Sequence, residues 1–155
     1  MMKYKQARAS ERSFDFTDAV DFIKNQEGFS ADPYWDNKRW SWGYGTAAGY
    51  DKNNKPPGTI SMAQAEQDLL DYVKGSYIKI TMALNSPLSH NQMTALLDFD
   101  YNEGFGSTSK VIKNINNGYT TQQTADEMNE YVYSGGLLNN DLVKRRQDET
   151  RLYLS

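Results

Sequence analysis

There is no cysteine in this chain, so disulfides, thiolate metal sites and a cysteine nucleophile are all excluded. Histidine is nearly absent too. His90 stands alone, which rules out any site that needs two imidazoles, and no nucleophile elbow accompanies it to suggest a Ser-His-Asp triad. No run approaches the roughly 18 apolar residues of a membrane helix, so stable membrane insertion is not expected. Nor does one sign of charge dominate. Lys and Arg number 17 against 20 Asp and Glu, a formal net charge of −3. Such a balance supplies no global field toward nucleic acid or another polyanion, and any ligand must be held by a local site.

What is present is ordinary for a globular domain: 38% hydrophobic and 24% charged residues, with 13% aromatics. The N-terminus is basic (Lys3, Lys5, Arg8, Arg12), but no apolar segment follows, so no signal peptide is expected. Residues 1–13 read as a flexible polar extension. Helical patterning starts at Thr17, an expected N-cap, and runs through Val20, Phe22 and Ile23 to Glu27, where Gly28 is a stop signal. Residues 32–60 change character. Trp40, Trp42 and Tyr44 alternate with Ser41 and Gly43 between glycines and prolines, which predicts a short antiparallel sheet. The remainder is helical. Expected spans are about Met62 to the low 80s, His90–Glu103, Ser109–Asn117, Gln122–Ser134 and Asp141–Tyr153. Ser61 with Gln64 and Ser89 with Gln92 have the form of capping boxes. The fold class is therefore α+β and mostly helical: a small N-terminal sheet lobe and a helical C-terminal lobe, joined by a long helix, with a cleft between them.

Glu27, Asp36 and Ser41 fall within fifteen residues, across a helix end and the first strands. Two carboxylates with different environments are what glycoside hydrolysis commonly uses, one protonated and one ionised. Glu27 sits at a helix C-terminus beside Phe29, a poor place for a negative charge. Asp36 lies in a turn where water and amide donors favour one. Ser41 offers a hydroxyl to orient a water. Spacing alone does not separate this from a capped helix followed by a solvated turn. All three tryptophans lie within residues 35–42, near Tyr34, Tyr44 and Tyr50. Such a group suits sugar stacking, or equally the core of a small sheet. Asp98-x-Asp100-x-Asn102 hints at a calcium loop, but Gly104 comes one position late and Ser109 stands where a glutamate is needed. No metal and no cofactor is expected. His90, beside a helix N-cap, reads as a surface residue.

Three blocks make the reading specific. Glu27-Gly28-Phe29, Pro33-Tyr34-Trp35-Asp36 and Ser41-Trp42-Gly43-Tyr44-Gly45-Thr46 resemble the active-site signature of phage T4-type lysozymes, glycoside hydrolase family 24. The segment from Ser89 to Gly104 resembles the family's N-Q-x-x-A-L-x-S-F-x-F-N-x-G helix. Tyr131 to Glu149 resembles its W-x-x-A-G-G … R-R-x-x-E ending. The resemblance spans about residues 17–154 in matching order. It implies a lysozyme-like fold for residues 14–155, a single domain with lobes at about 17–75 and 76–155. It implies a bacteriolytic muramidase, an endolysin that hydrolyses the β-1,4 bond between N-acetylmuramic acid and N-acetylglucosamine with inversion. By the same resemblance Glu27 is the general acid, Asp36 the second carboxylate, and Ser41 stands for the family's threonine. Tyr34, Trp42, Asn102, Arg145 and Arg146 are implied substrate contacts, with one of the two arginines meeting Glu27. Asn37-Lys38-Arg39 replaces the family's turn glycine, so the turn that carries Asp36 must differ. The expected partner is bacterial peptidoglycan, reached by a monomer from the host cytoplasm, with a holin for release. The rival readings are a lytic transglycosylase and an inactive peptidoglycan-binding or virion structural protein.

Overall fold

The structure, a computed structural model, describes residues 2–155; Met1, the first residue of the expected extension, lies outside the described residues. The described residues form seven helices and two small sheets: α1 (Met2–Ser13), α2 (Thr17–Glu27), β1 (Ser30–Trp35), β2 (Trp40–Gly43), β3 (Thr46–Gly49), α3 (Met62–Ala83), α4 (His90–Glu103), α5 (Phe105–Asn116), α6 (Thr121–Met128), β4 (Tyr133–Ser134), β5 (Leu137–Leu138) and α7 (Asn140–Tyr153).

Helix α4 is the hub. Every residue from Met93 to Asp100 is buried, and a helix covered on all sides must lie at the centre of its lobe. Its start is fixed by a full capping box of Ser89 and Gln92. The 22-residue α3 connects the sheet to this lobe and runs through Gly75 without interruption. Its buried Ala65, Leu69, Val73 and Ile80 lie on one stripe that joins the common core with Ile23, Leu96, Phe99 and Ile112. Burying such a stripe contributes about 1.5–3 kcal/mol per large side chain.

The expected sheet is present, in the order β1-β2-β3, with antiparallel neighbours. Tyr34 pairs with Ser41 and Trp35 with Trp40. At Gly43, φ is +60° and an added Cβ would come 2.9 Å from the Cβ of Ala65. The missing side chain thus lets β2 press directly onto α3.

Three expectations are corrected. Residues 2–13 are not an extension but α1, made of good helix formers with two residues turned inward, Ala7 and Glu11 at i and i+4. Ala7 is small enough for close approach to α3, while Glu11 meets Arg8 and Lys74 at 3.6 and 4.0 Å. Phe14 then anchors the helix end against Phe16, Tyr77 and His90, with ring centroids 4.8–4.9 Å apart. Thr17 is the first residue of α2 rather than its cap, and its N–H donates to the Asp15 carboxylate at 2.9 Å. The helix expected to reach Ser134 stops at Met128. Tyr133-Ser134 instead pairs with Leu137-Leu138 around Gly135 and Gly136, whose φ values of +59° and +79° suit a tight hairpin turn.

Candidate active site

Glu27 is the last residue of α2, and Gly28 (φ +71°) turns the chain away behind it. Its side chain is 19% exposed. Arg145 Nη1 donates to Glu27 Oε2 at 2.6 Å, while Oε1 is directed toward Gly45. A Cβ on Gly45 would lie 2.7 Å from Oε1, and the φ of +84° there also favours glycine. Of the two adjacent arginines it is therefore Arg145 that meets the expected acid. Phe29 turns to the Tyr44 ring instead, 5.5 Å away between centroids.

Arg145 is itself fixed from behind. Its Nε and Nη2 donate to the two oxygens of Asp98 at 3.0 and 2.8 Å, a fork-to-carboxylate pair inside the protein. Burial opposes the Arg145 charge, but the bonds to Asp98, then its charge and that of Glu27, outweigh this and raise the Arg145 pKa. Arg146, fully buried, points the other way. It donates to Glu103 and Asn102 at 2.8 Å, approaches Glu149 with an Nε–Oε1 ionic contact of 2.6 Å, and lies 5.0 Å from the Phe99 ring. Burial raises Glu149 well above the usual carboxylate range, aided by a hydrogen bond with Asp98 and that neighbour's charge, and against the pull of Arg146.

Asp36 occupies the β1–β2 turn, as expected. Asn37 takes the left-handed conformation, φ +76°, that a glycine would otherwise supply, and asparagine is among the few residues that tolerate it. The turn closes with the N–H of Arg39 on Asp36 Oδ1 at 3.1 Å and the Ser41 hydroxyl on Oδ2 at 2.7 Å. Partial burial pushes Asp36 up. The Ser41 hydroxyl, the N–H groups of Arg39 and Lys38, and the Arg39 charge more than reverse that, and the net pKa is below the ordinary value. Ser41 is wholly buried, and its proton is committed to Asp36 rather than to a water. Arg39 ties the turn to the next loop through Nη2 and the Gly45 carbonyl at 3.1 Å.

Beside the Asp36 turn runs a cleft of about 740 Å³, lined by Asp36, Arg39, Tyr72, Tyr101, Asn102 and the Gly45 that Glu27 Oε1 faces, among others. Tyr34 sits opposite Ser41, with its phenol raised by burial and then by the negative charges of Glu27 and Asp36. Asn102 reaches the cleft wall while its Oδ1 accepts from Arg146. Trp42 does not join them. The two-residue period that turns Ser41 toward Asp36 turns Trp42 to the opposite face, where it packs on the core. Trp40 meets Trp35 edge-on and donates to the Asp51 carbonyl at 2.8 Å. The cleft's aromatic lining is tyrosine: Tyr50, Tyr72 and Tyr101. Tyr101 donates to the Tyr44 carbonyl at 2.6 Å, and burial raises its phenol, with the charge of Glu27 adding to it. Sequence reasoning missed Tyr72, Arg39 and the buried acid Asp98, whereas Glu149 stands in the R-R-x-x-E ending that the resemblance already marked. The only signal for Asp98 was its misleading place in the false calcium pattern, which here lies within α4.

A carboxylate at a helix end packed against Gly45, a second in the neighbouring sheet turn, and a cleft where the small sheet meets the helical lobe define the lysozyme class of fold. The family described as phage lysozyme matches residues 24–149, and the chain belongs to that family. It is 32% identical over 141 residues to an endolysin of Bacillus phage B103, covering 88% of this chain and 52% of that protein. The chain spans about half the length of the curated relatives it matches. Among solved structures, the endolysin from Escherichia coli O157:H7 phage FAHEc1 superposes with a TM-score of 0.76 at 28% identity, covering 90% of this chain and 92% of that one. A P22 lysozyme variant shares the fold at 22% identity, with a TM-score of 0.73 over 90% of this chain and 97% of that one.

Proposed function

We propose that this chain is a peptidoglycan hydrolase, a muramidase that cuts the β-1,4 bond between N-acetylmuramic acid and N-acetylglucosamine. The observation that carries the reading is the pair Glu27 and Asp36, held by unlike surroundings, Arg145 on one and the Ser41 hydroxyl with turn amides on the other, in a chain of the phage lysozyme family. Glu27 gives its proton to the bridging oxygen as the bond to the anomeric carbon breaks. Asp36, kept ionised by Ser41 and the turn amides, takes the proton of the attacking water on the other face, which inverts configuration. Tyr34 and Asn102 border the sugar, Arg145 holds Glu27 in place, and Arg146 holds Asn102. The domain is residues 14–155 with α1 packed on it, and its lobes meet along α3, near residue 75. The enzyme acts as a monomer, is made in the host cytoplasm and reaches the wall through a holin-made opening.

Clearing of purified, outer-membrane-free bacterial walls tests this. Wild type should clear them, and Glu27→Gln should lose at least the ~10²–10⁴-fold that general acid catalysis contributes. Mass spectrometry of the fragments should find reducing ends. Anhydro sugars would instead make the chain a lytic transglycosylase, and wall binding without release of any sugar would make it a binding or structural protein.

A further inference from the structure

The guanidinium beside the acid is shared unequally. Arg145 gives two N–H groups to Asp98 and one to Glu27. Asp98 is completely buried, so water does not screen its charge. A guanidinium at 2.6 Å attracts negative charge on its neighbour, and the attraction is strongest when nothing shares the fork. A second carboxylate on the same fork divides that attraction and adds its own repulsion of a negative charge on Glu27.

We propose that Asp98 is a positioning residue that sets the pH range of the reaction, holding Arg145 in two hydrogen bonds so that the acid keeps a usable proton. The inference rests on the muramidase reading given above. Other groups near Glu27 do not take this role. Tyr34 from β1 and Tyr101 from α4 are phenols whose ionisation is pushed upward, so they stay neutral. Lys24 of α2 is engaged with Glu66 of α3 at 2.7 Å, and Asp148 of α7 is bound by Gln26 and Lys144. Asp36 and Arg39, paired at 3.8 Å in the β1–β2 turn, and Glu103, paired with Arg146 at 2.8 Å, are untouched by a change at position 98. Glu149 is the third acid near Arg145. It lies 3.9 Å from Arg145 Nε but 2.6 Å from Arg146 Nε, so a charge released on Glu149 is answered mainly by Arg146.

The test is the pH profile of wall-fragment release by wild type and Asp98→Asn, which keeps the shape and removes the charge. The alkaline limb, where the acid must still hold its proton, should move about one unit to lower pH. On the alkaline side of that limb the rate should fall about tenfold, while the rate on the acid side is retained. Carbon NMR of the Glu27 carboxyl should show its titration moving the same way. A limb that coincides with wild type overturns the proposal, as does a loss that is uniform at every pH, which is the mark of a purely structural role. If Asp98→Asn does not melt cooperatively, Asp98→Ser takes its place with the same expected shift. If wild type releases no sugar, the muramidase reading has failed by itself. The carboxyl titration then decides alone: a downward movement in the variant supports the role of Asp98, and no movement overturns it.

Discussion

Asp36 lines the cleft and Glu27 abuts the Gly45 that lines it, but the two are held in opposite ways. Every hydrogen-bonding partner of Asp36 lies within five residues of it: the Ser41 hydroxyl and the amides of Lys38 and Arg39. Glu27 is held by Arg145, 118 residues away, which is held in turn by Asp98 on a third helix. One carboxylate is set by a turn, the other by the assembly of α2, α4 and α7. Disturbing the turn should therefore change chemistry with little effect on stability, whereas disturbing the assembly should change both.

The largest effect is expected from Arg145→Ala. It strands the buried Asp98 without its partner and frees Glu27. Removing one member of a buried ion pair costs about 3–5 kcal/mol, so the thermal midpoint should drop steeply along with activity. A loss of activity with an unchanged midpoint would show that the network positions the acid without supporting the fold. Gly45→Ala comes next and strikes the Glu27 side without removing any member of the ion pairs. The new methyl group would lie 2.7 Å from Oε1, on a backbone with φ +84°. Displacing a catalytic group by about 1 Å costs on the order of 10²-fold in rate, while the strained φ costs about 1–2 kcal/mol in stability. Wall-clearing rates beside a thermal melt separate the two.

The same contrast explains what was legible in the sequence. Asp36 and Ser41 stand five apart across a turn, and strand alternation is enough to bring them together. Alternation also shows, once the pairing of Tyr34 with Ser41 is known, that Trp42 must face the core; the sequence left both faces open because aromatic residues serve either. The sheet, α3 and α4 were readable because turn residues, capping boxes and apolar periodicity agreed along each segment. The choice between Arg145 and Arg146 was not readable, because it depends on the angle at which α7 crosses α4. Asp98 looked like an ordinary helix-surface acid, since nothing local reveals that a residue will be enclosed by other helices; the R-R-x-x-E ending marked Glu149 but not its burial. Helix α1 was hidden for the same reason: its buried face is one alanine and one glutamate, which hydrophobic patterning does not register.

Ser41→Ala breaks the local side of the comparison. Asp36 loses its shortest hydrogen bond, 2.7 Å, and wall clearing should slow about tenfold. The sign of the pH effect follows from the depressed value of Asp36. Its contribution to stability is present above the ordinary carboxylate range and is lost as pH falls through the lower, folded value. Without Ser41 that folded value rises, so both activity and stability should begin to fall at a higher pH on the acid side. At neutral pH the cost should stay at about 1.5 kcal/mol, the low end for a hydrogen bond to a charged group, since Asp36 is partly open to water. Ser41→Thr keeps the hydroxyl and should keep the wild-type acid limb.

The smallest effect is expected at Asn37, and its sign separates turn geometry from turn chemistry. At φ +76° a residue with a Cβ is strained, and asparagine reduces that strain without abolishing it. Asn37→Ala should cost about 1 kcal/mol, the usual penalty of the left-handed region, and should loosen the turn that carries Asp36. Asn37→Gly removes the strain but also gives the unfolded chain more freedom, and the two terms nearly cancel, leaving stability within about 0.5 kcal/mol of wild type. Because Asp36 is fixed by Ser41 and Arg39 rather than by the Asn37 side chain, the glycine variant should clear walls at the wild-type rate. Denaturant melts and wall clearing measured together check both parts. A glycine variant that is stable but slow would mean that the Asn37 side chain itself takes part at the cleft, and that the hold on Asp36 extends beyond the hydrogen bonds of its own turn.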